Sequence, residues 1–186
     1  MTKIAIFASG TGSNAQKIIE QVPGVALIIS NKPDAGVLAI AERNGIPTLV
    51  LDKERFLRGD GYVPELNKMG IGLIVLAGFL WKVPVTLIKA FPRQIINIHP
   101  ALLPKYGGKG MYGHFVHEAV IAAGEKESGI SIHYVDELYD HGQVILQAIC
   151  AIEPGDTPES LAKKVQVLEH RHFPAAVKLL TSVQSV

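Results

Sequence analysis

A chain of 186 residues, 48% hydrophobic and 19% charged, is long enough to bury a sizeable core and too apolar to remain disordered. Its formal charge of +1 comes without a basic run or tail, which argues against nucleic acid or an anionic membrane as partner and leaves room for a small anionic ligand. The single cysteine, Cys150, lies inside the apolar run VILQAICAI, so neither a disulfide framework nor a cysteine metal centre is available.

Met1 leads directly into the apolar stretch IAIFA without the charged flank and cleavage pattern of a signal peptide. The longest apolar run, IGLIVLAGFLW at 71–81, is too short to span a bilayer. The expectation is a cytoplasmic protein.

From the N-terminus, a strand over 3–8 runs into ASGTGSN and a helix over 13–21. Gly10, Gly12 and Ala15 formally satisfy the G-x-G-x-x-G/A dinucleotide fingerprint, although a lone match is also a generic tight turn. The second strand, 25–30, ends in SNKPD, where Ser30 and Asn31 stand in place of the acid that would hold a ribose hydroxyl. That counts against a nicotinamide cofactor. What the loop does offer is glycine-freed backbone amides, a helix N-terminus and the side chains of Ser13 and Asn14, a combination suited to a phosphate monoester.

Helix, strand, helix and strand follow at 36–44, 47–51, 62–69 and 72–76, then LAGFLWK and a helix over 84–90. Next comes QIINIHPALLPK at 94–105. On a strand, Asn97 and His99 share one face while Ile96 and Ile98 share the other, and Pro100 stops the strand just beyond His99. Two polar groups at an open strand end are either satisfied terminal residues or a site. The stretch 107–113 is rich in glycine and reads either as a mobile flap over a cleft or as a long surface loop.

A helix over 114–123 precedes strands at 129–135 and 143–152, whose short connection makes them an antiparallel pair. That connection holds Asp136, Glu137 and Asp140; such carboxylates are usually solvated, but Asp140-His141-Gly142 forms a tight turn able to fold one back over the sheet edge. The pairs His114/His117 and His170/His172 lack a complete ligand set, so no metal is expected, and no G-x-S-x-G elbow supports a serine hydrolase. The final helix, 158–182, opens at DTPES with Asp156 or Thr157 as cap and Pro158 in its first turn, and Pro174 is expected to kink it.

Strand and helix alternating at this spacing predict an α/β fold: a Rossmann-like, doubly wound, mostly parallel sheet flanked by helices, with an antiparallel pair of late strands, in one domain over 1–186. Ligands of such sheets bind beyond the carboxyl ends of the strands, where strand order reverses. ASGTGSN, LAGFLWK and NIHP all fall on those ends.

Taken together, SGTGSN, SNKPDA, VLAGFLW, INIHPALLPKY, the G-x-S-x-H of 129–133, DELYDHGQVILQ and the EH of 169–170 resemble the phosphoribosylglycinamide formyltransferases, in order and along essentially the whole chain. The resemblance implies transfer of a formyl group from N10-formyltetrahydrofolate, a cosubstrate rather than a bound cofactor, to the amine of glycinamide ribonucleotide. It implies Asn97, His99 and Asp140 as catalytic residues and Gly12, Ser13 and Asn14 as the phosphate loop. It further implies folate contacts at Leu80, Trp81, Lys82, Val83, Val135, Asp136 and Glu137, and a substrate contact at Glu169. Trp81 and Lys82 depart from a pattern in which a basic residue followed by an apolar one is common, and the glycine-rich 107–113 stretch is longer than in many members. A formyltetrahydrofolate hydrolase could use the same three residues with water as acceptor, but is expected to carry an additional N-terminal domain. A dinucleotide-dependent oxidoreductase module is the alternative from another class. Oligomeric state is not legible in the sequence.

Overall fold

The computed structural model describes residues 1–58 and 60–183. The strands are β1 (Lys3–Phe7), β2 (Val25–Ser30), β3 (Thr48–Val50), β4 (Ile71–Leu76), β5 (Ile95–His99), β6 (Glu127–Tyr134) and β7 (Val144–Ala151). They form one sheet in the order β3-β2-β1-β4-β5-β6-β7. The first five in that order are parallel, and β6 and β7 join antiparallel, as the spacing predicts. The chain winds outward from β1 to β3 on one side and returns to lay β4 on the other, so strand order reverses between β1 and β4.

Because both faces of the sheet are covered, the inner strands are apolar at almost every position rather than alternating. Ile4 and Ile6 of β1 enter one core layer, with Ile18, Val37, Val116, Leu161 and Phe173. Ala5 and Phe7 enter the other, with Phe56, Leu66, Leu87 and Ile95. The first layer is built on α1 (Ser13–Gln21), α2 (Gly36–Arg43), α6 (His114–Ala122) and α7 (Pro158–Val183); the second on α3 (Lys53–Leu57), α4 (Val63–Met69) and α5 (Val85–Ala90).

α3 is absent from the sequence reading. It is five residues long and buries only Phe56, too short for a periodic signal, yet Asp52 caps it by accepting a hydrogen bond from the Arg55 amide at 2.8 Å. α7 starts at Pro158, and Thr157 is its cap: Thr157 Oγ1 accepts from the Ser160 amide at 3.2 Å while Ser160 Oγ accepts from the Thr157 amide at 2.9 Å. The helix continues past Pro174 to Val183.

Candidate active site

The carboxyl ends of β1, β4 and β5 open into a cleft of about 710 Å³, a size typical of small-molecule sites. Ser9 stitches two of these ends together: its hydroxyl accepts from the Leu80 amide at 2.9 Å and donates to Asn31 Oδ1 at the end of β2.

β5 presents Asn97 and His99 to the cleft, on the shared face that the alternation requires. Opposite Asn97 in the antiparallel register stands His133 of β6, and the motif G-x-S-x-H explains itself there. Gly129, Ser131 and His133 share one face of β6. A Cβ on Gly129 would lie 1.9 Å from the Ala148 carbonyl oxygen and 2.9 Å from Leu102 Cδ2, so only glycine fits. Ser131 is fully buried and satisfied: its hydroxyl donates to the Ala101 carbonyl at 2.7 Å and accepts from the Leu103 amide at 2.9 Å, pinning the chain reversal after Pro100. His133 Nδ1 lies 2.8 Å from the Tyr134 carbonyl, which can only accept, so Nδ1 carries the proton. In the neutral ring Nε2 is then an acceptor, 3.1 Å from Asn97 Nδ2.

Asp140 completes the group from the β6–β7 connection. Asp136 shapes this turn by accepting from the Leu138 amide and from His141 Nδ1, both at 2.9 Å. Gly142 is obligatory, since a Cβ there would meet the Tyr134 carbonyl oxygen at 1.8 Å. Asp140 itself adopts φ 52, a left-handed conformation that aspartate tolerates better than most residues. Its Oδ1 stands 3.4 Å from Asn97 Nδ2 and 3.6 Å from His133 Nε2; its Oδ2 stands 3.5 Å from His99 Nδ1 and accepts from the Gly108 amide at 3.0 Å. A carboxylate beside the Asn97 amide also settles which way that amide faces, because the carbonyl oxygen in the same place would repel it.

Burial pushes the His99 imidazole below its ordinary value, against the opposing pull of Asp140, so the ring is neutral at neutral pH. Burial pushes the Asp140 carboxyl up, but the polar groups around it, with the Gly108 amide donating to Oδ2, outweigh that and hold the carboxylate form. His99 Nε2 is 2.7 Å from the Tyr106 carbonyl and so bears the single proton, leaving Nδ1 bare toward Asp140.

At the β1 end, Gly12 precedes α1 with φ 83, and a Cβ there would sit 2.8 Å from Val37 Cα, so the turn is reserved for glycine. No side chain caps α1. Ser9, Gly10, Asn14 and Lys32 line the cleft, whereas Gly12 and Ser13 do not; Ser13 Oγ accepts from Gln166 Nε2 at 3.4 Å. Asn14 Nδ2 donates to Glu169 Oε2 at 2.9 Å, which joins the first helix to the last and leaves the buried Asn14 Oδ1 without a protein partner. Burial raises the Glu169 carboxyl, only partly offset by that bond.

Leu80, Trp81, Lys82, Val83, Val135 and Asp136 all line the cleft. Trp81 is set by an aromatic cluster, its ring 5.9 Å from Phe56 and 6.4 Å from Phe79, and Lys82 Nζ lies 5.4 Å from the centroid of Tyr139. Glu137 is exposed and is not part of the wall; Leu138 and Tyr139 are. Among the lining residues, His133 and Lys32 lie within motifs that the sequence shows but were given no role of their own, whereas Leu138 and Tyr139 fall in the segment to Asp140 expected to meet the folate. The signal for His133 was the G-x-S-x-H spacing, and for Lys32 its place directly after β2. Residues 108–113 also line the cleft, together with His117, which fits a segment lying over it.

The switch-point cleft of this Rossmann-like sheet therefore gathers Asn97, His99, His133 and Asp140 on one wall. Residues 2–177 match the formyl transferase family, and the chain belongs to that family. It is 45% identical over 186 residues to the chloroplastic phosphoribosylglycinamide formyltransferase of Arabidopsis thaliana, covering 94% of this chain but only 64% of the plant protein. It is 33% identical to phosphoribosylglycinamide formyltransferase of Bacillus subtilis, over the whole of this chain and 97% of that one. The crystal structure of phosphoribosylglycinamide formyltransferase from Bacillus halodurans superposes with a TM-score of 0.87 at 40% identity, over 97% of this chain and 96% of that chain.

Proposed function

We propose that this chain, acting as one domain, transfers the formyl group of N10-formyltetrahydrofolate to the primary amine of glycinamide ribonucleotide. The observation that carries the reading is Asp140 reaching Asn97 with one oxygen and His99 with the other, on the wall of a cleft of about 710 Å³ that runs from the β1 end to the β6–β7 connection.

The amine nitrogen attacks the formyl carbon, and the carbonyl oxygen becomes an oxyanion. Asn97 Nδ2 is the fixed donor for that oxygen. Its bond to His133 Nε2 holds the amide in place, and its long 3.4 Å approach to Asp140 is readily exchanged for the oxyanion. As the C–N bond forms, the amine must lose a proton. The bare Nδ1 of His99 faces the Asp140 carboxylate, so a proton placed there lies between two groups that both attract it. From that position it is passed toward N10 as the C–N10 bond breaks and tetrahydrofolate leaves. Neither a covalent enzyme intermediate nor a metal enters these steps.

The phosphate is read at Gly10, the amides following Gly12 and Lys32, and Glu169 with Asn14 contacts the remainder of the ribonucleotide. Asn14 and Ser13 serve through their main-chain amides, because the Asn14 side chain is held by Glu169 and the Ser13 hydroxyl is turned toward Gln166. The folate lies along Leu80–Val83 and 135–140. Within the described residues no helix is long and apolar enough to cross a membrane, and the place of action we read is the cytoplasm.

The test is an assay of purified protein with ribonucleotide and formyl donor, following free tetrahydrofolate by absorbance and the formylated ribonucleotide by mass. Stoichiometric appearance of both supports the transfer. Formate release without a formylated product overturns it in favour of hydrolysis.

A further inference from the structure

We propose that the Tyr106 hydroxyl and Glu125 form a strut that fixes the tautomer of His99, which makes both of them positioning residues; the kinetic part of this inference rests on the formyl transfer proposed above.

Two groups compete for the single proton of the neutral His99 ring. Asp140 Oδ2, 3.5 Å from Nδ1, favours a proton on Nδ1, because a charge-assisted N–H···O⁻ bond is stronger than a neutral one. The Tyr106 carbonyl, 2.7 Å from Nε2, demands the proton on Nε2, because two bare acceptors cannot sit at that distance. The outcome depends on how firmly that carbonyl is held. If Tyr106 can withdraw, the Nδ1–H tautomer bound to Asp140 becomes accessible, and its Nδ1 no longer has a lone pair for an incoming proton.

Tyr106 is not in a conformation that it would hold unaided. Its φ is 55, a left-handed geometry disfavoured for an aromatic residue, and the next residue is confined: a Cβ on Gly107 would meet Leu103 Cδ2 at 2.5 Å and Asp140 Cβ at 3.2 Å. What holds Tyr106 from the far side is its own side chain. Its hydroxyl donates to Glu125 Oε1 at 2.9 Å, in the turn between α6 and β6. Lys105 Nζ donates to the same oxygen at 2.9 Å, but from a side chain that is mostly in solvent. Tyr106 therefore spans from the α6–β6 turn, at its hydroxyl, to His99 Nε2, at its own carbonyl, and Glu125 is not part of the cleft lining. Its influence on the reaction runs through Tyr106 alone.

The experiment is ¹⁵N NMR of the imidazole nitrogens in the free protein, with steady-state kinetics on the same samples. In the wild type His99 is the Nε2–H tautomer. In Tyr106→Phe and in Glu125→Ala, the Nδ1–H form should grow, and kcat should fall about 3- to 10-fold with KM little changed, the scale of one hydrogen bond's net worth. Glu125→Gln, which keeps an oxygen acceptor for the hydroxyl, should return both readouts toward wild type. Lys105→Met should leave the tautomer alone, and the Tyr106→Phe/Glu125→Ala pair should be no worse than the worse single change. A His99 that stays Nε2–H in cooperatively melting Tyr106→Phe and Glu125→Ala proteins overturns the strut, whether or not activity falls. The NMR readout needs no substrate, so it decides the strut even if the transfer reaction itself is disproved.

Discussion

The two ends of the cleft obtain their polarity by opposite means. At the β1 end the main chain does the work: Gly12 at φ 83 packs against Val37 and exposes the first turn of α1, while the side chains of Ser13 and Asn14 turn to α7. At the β5–β6 end side chains do the work, and three of them from two strands converge on one carboxylate, Asp140. A main-chain anion site tolerates many side chains but only one backbone geometry. A converged side-chain site tolerates loop variation around it but no change in the group at its centre. Substitutions should separate the two behaviours.

The largest effect is expected at the centre. Asp140→Asn keeps the shape but removes the charge that faces His99 Nδ1, and kcat should drop about 10²- to 10⁴-fold with substrate affinities near normal. Asn97→Ala removes the fixed oxyanion donor and should lower kcat about 10²- to 10³-fold. The double variant should lose less than the product of the two, because both groups act on one intermediate. Wild-type turnover in either single variant removes that residue from the mechanism.

These two residues also show what was legible in the sequence. Asn97 and His99 could be read from strand alternation and the proline that follows, because both facts are local. Asp140 was set apart from Asp136 and Glu137 by local rules only through the tight Asp140-His141-Gly142 turn, which allows one carboxylate to fold back without saying what it reaches. There Asp136 organises the loop, Glu137 faces solvent and Asp140 reaches the strands. The family resemblance was what gave Asp140 a catalytic role beforehand. His133 showed only as the last member of the G-x-S-x-H motif, without a role: a histidine among apolar strand residues reads as core, and its value lies in a cross-strand register that a single strand does not disclose. The Tyr106 carbonyl carries no side-chain signal at all. The doubly wound, mostly parallel sheet with its late antiparallel pair followed from the alternating elements, but α3, which props Trp81 through Phe56, was too short to leave a pattern.

At the other end, Gly12→Ala tests whether geometry alone matters. The new Cβ meets Val37 main-chain and side-chain atoms at 2.8 Å in a left-handed backbone, and should cost about 1–3 kcal/mol. For a chain of this size that lowers Tm by roughly 2–4 °C per kcal/mol. KM for the ribonucleotide should rise more than kcat falls, the reverse of Asp140→Asn. An unchanged Tm would show that the turn has room that its geometry does not reveal. Ser13→Ala, by contrast, should change KM little, since its hydroxyl is turned toward Gln166.

The smallest and most discriminating change is Glu169→Gln, because the residue ties α7 to α1 through Asn14 and also lines the cleft where we place the ribonucleotide. Burial raises the Glu169 carboxyl and the bond from Asn14 only partly compensates, so the folded protein binds this proton more tightly than the unfolded chain does. For a raised carboxyl the sign is clear: stability is lost as pH climbs from the unfolded value of about 4.5 through the folded one, where the chain must bury a charge that it would rather hydrate. Glutamine keeps an oxygen for Asn14 Nδ2 and carries no charge. Its Tm should therefore exceed that of the wild type at pH 7, and the gap should close as the pH is lowered toward 4.5 and the wild-type carboxyl takes up its proton. The same change should raise KM for the ribonucleotide about tenfold, the loss of a charged hydrogen bond, while kcat stays within a few-fold because no reacting atom is touched. A variant less stable than wild type at pH 7 would mean that the carboxylate is held charged for the fold, and would transfer Glu169 from the substrate site to the framework.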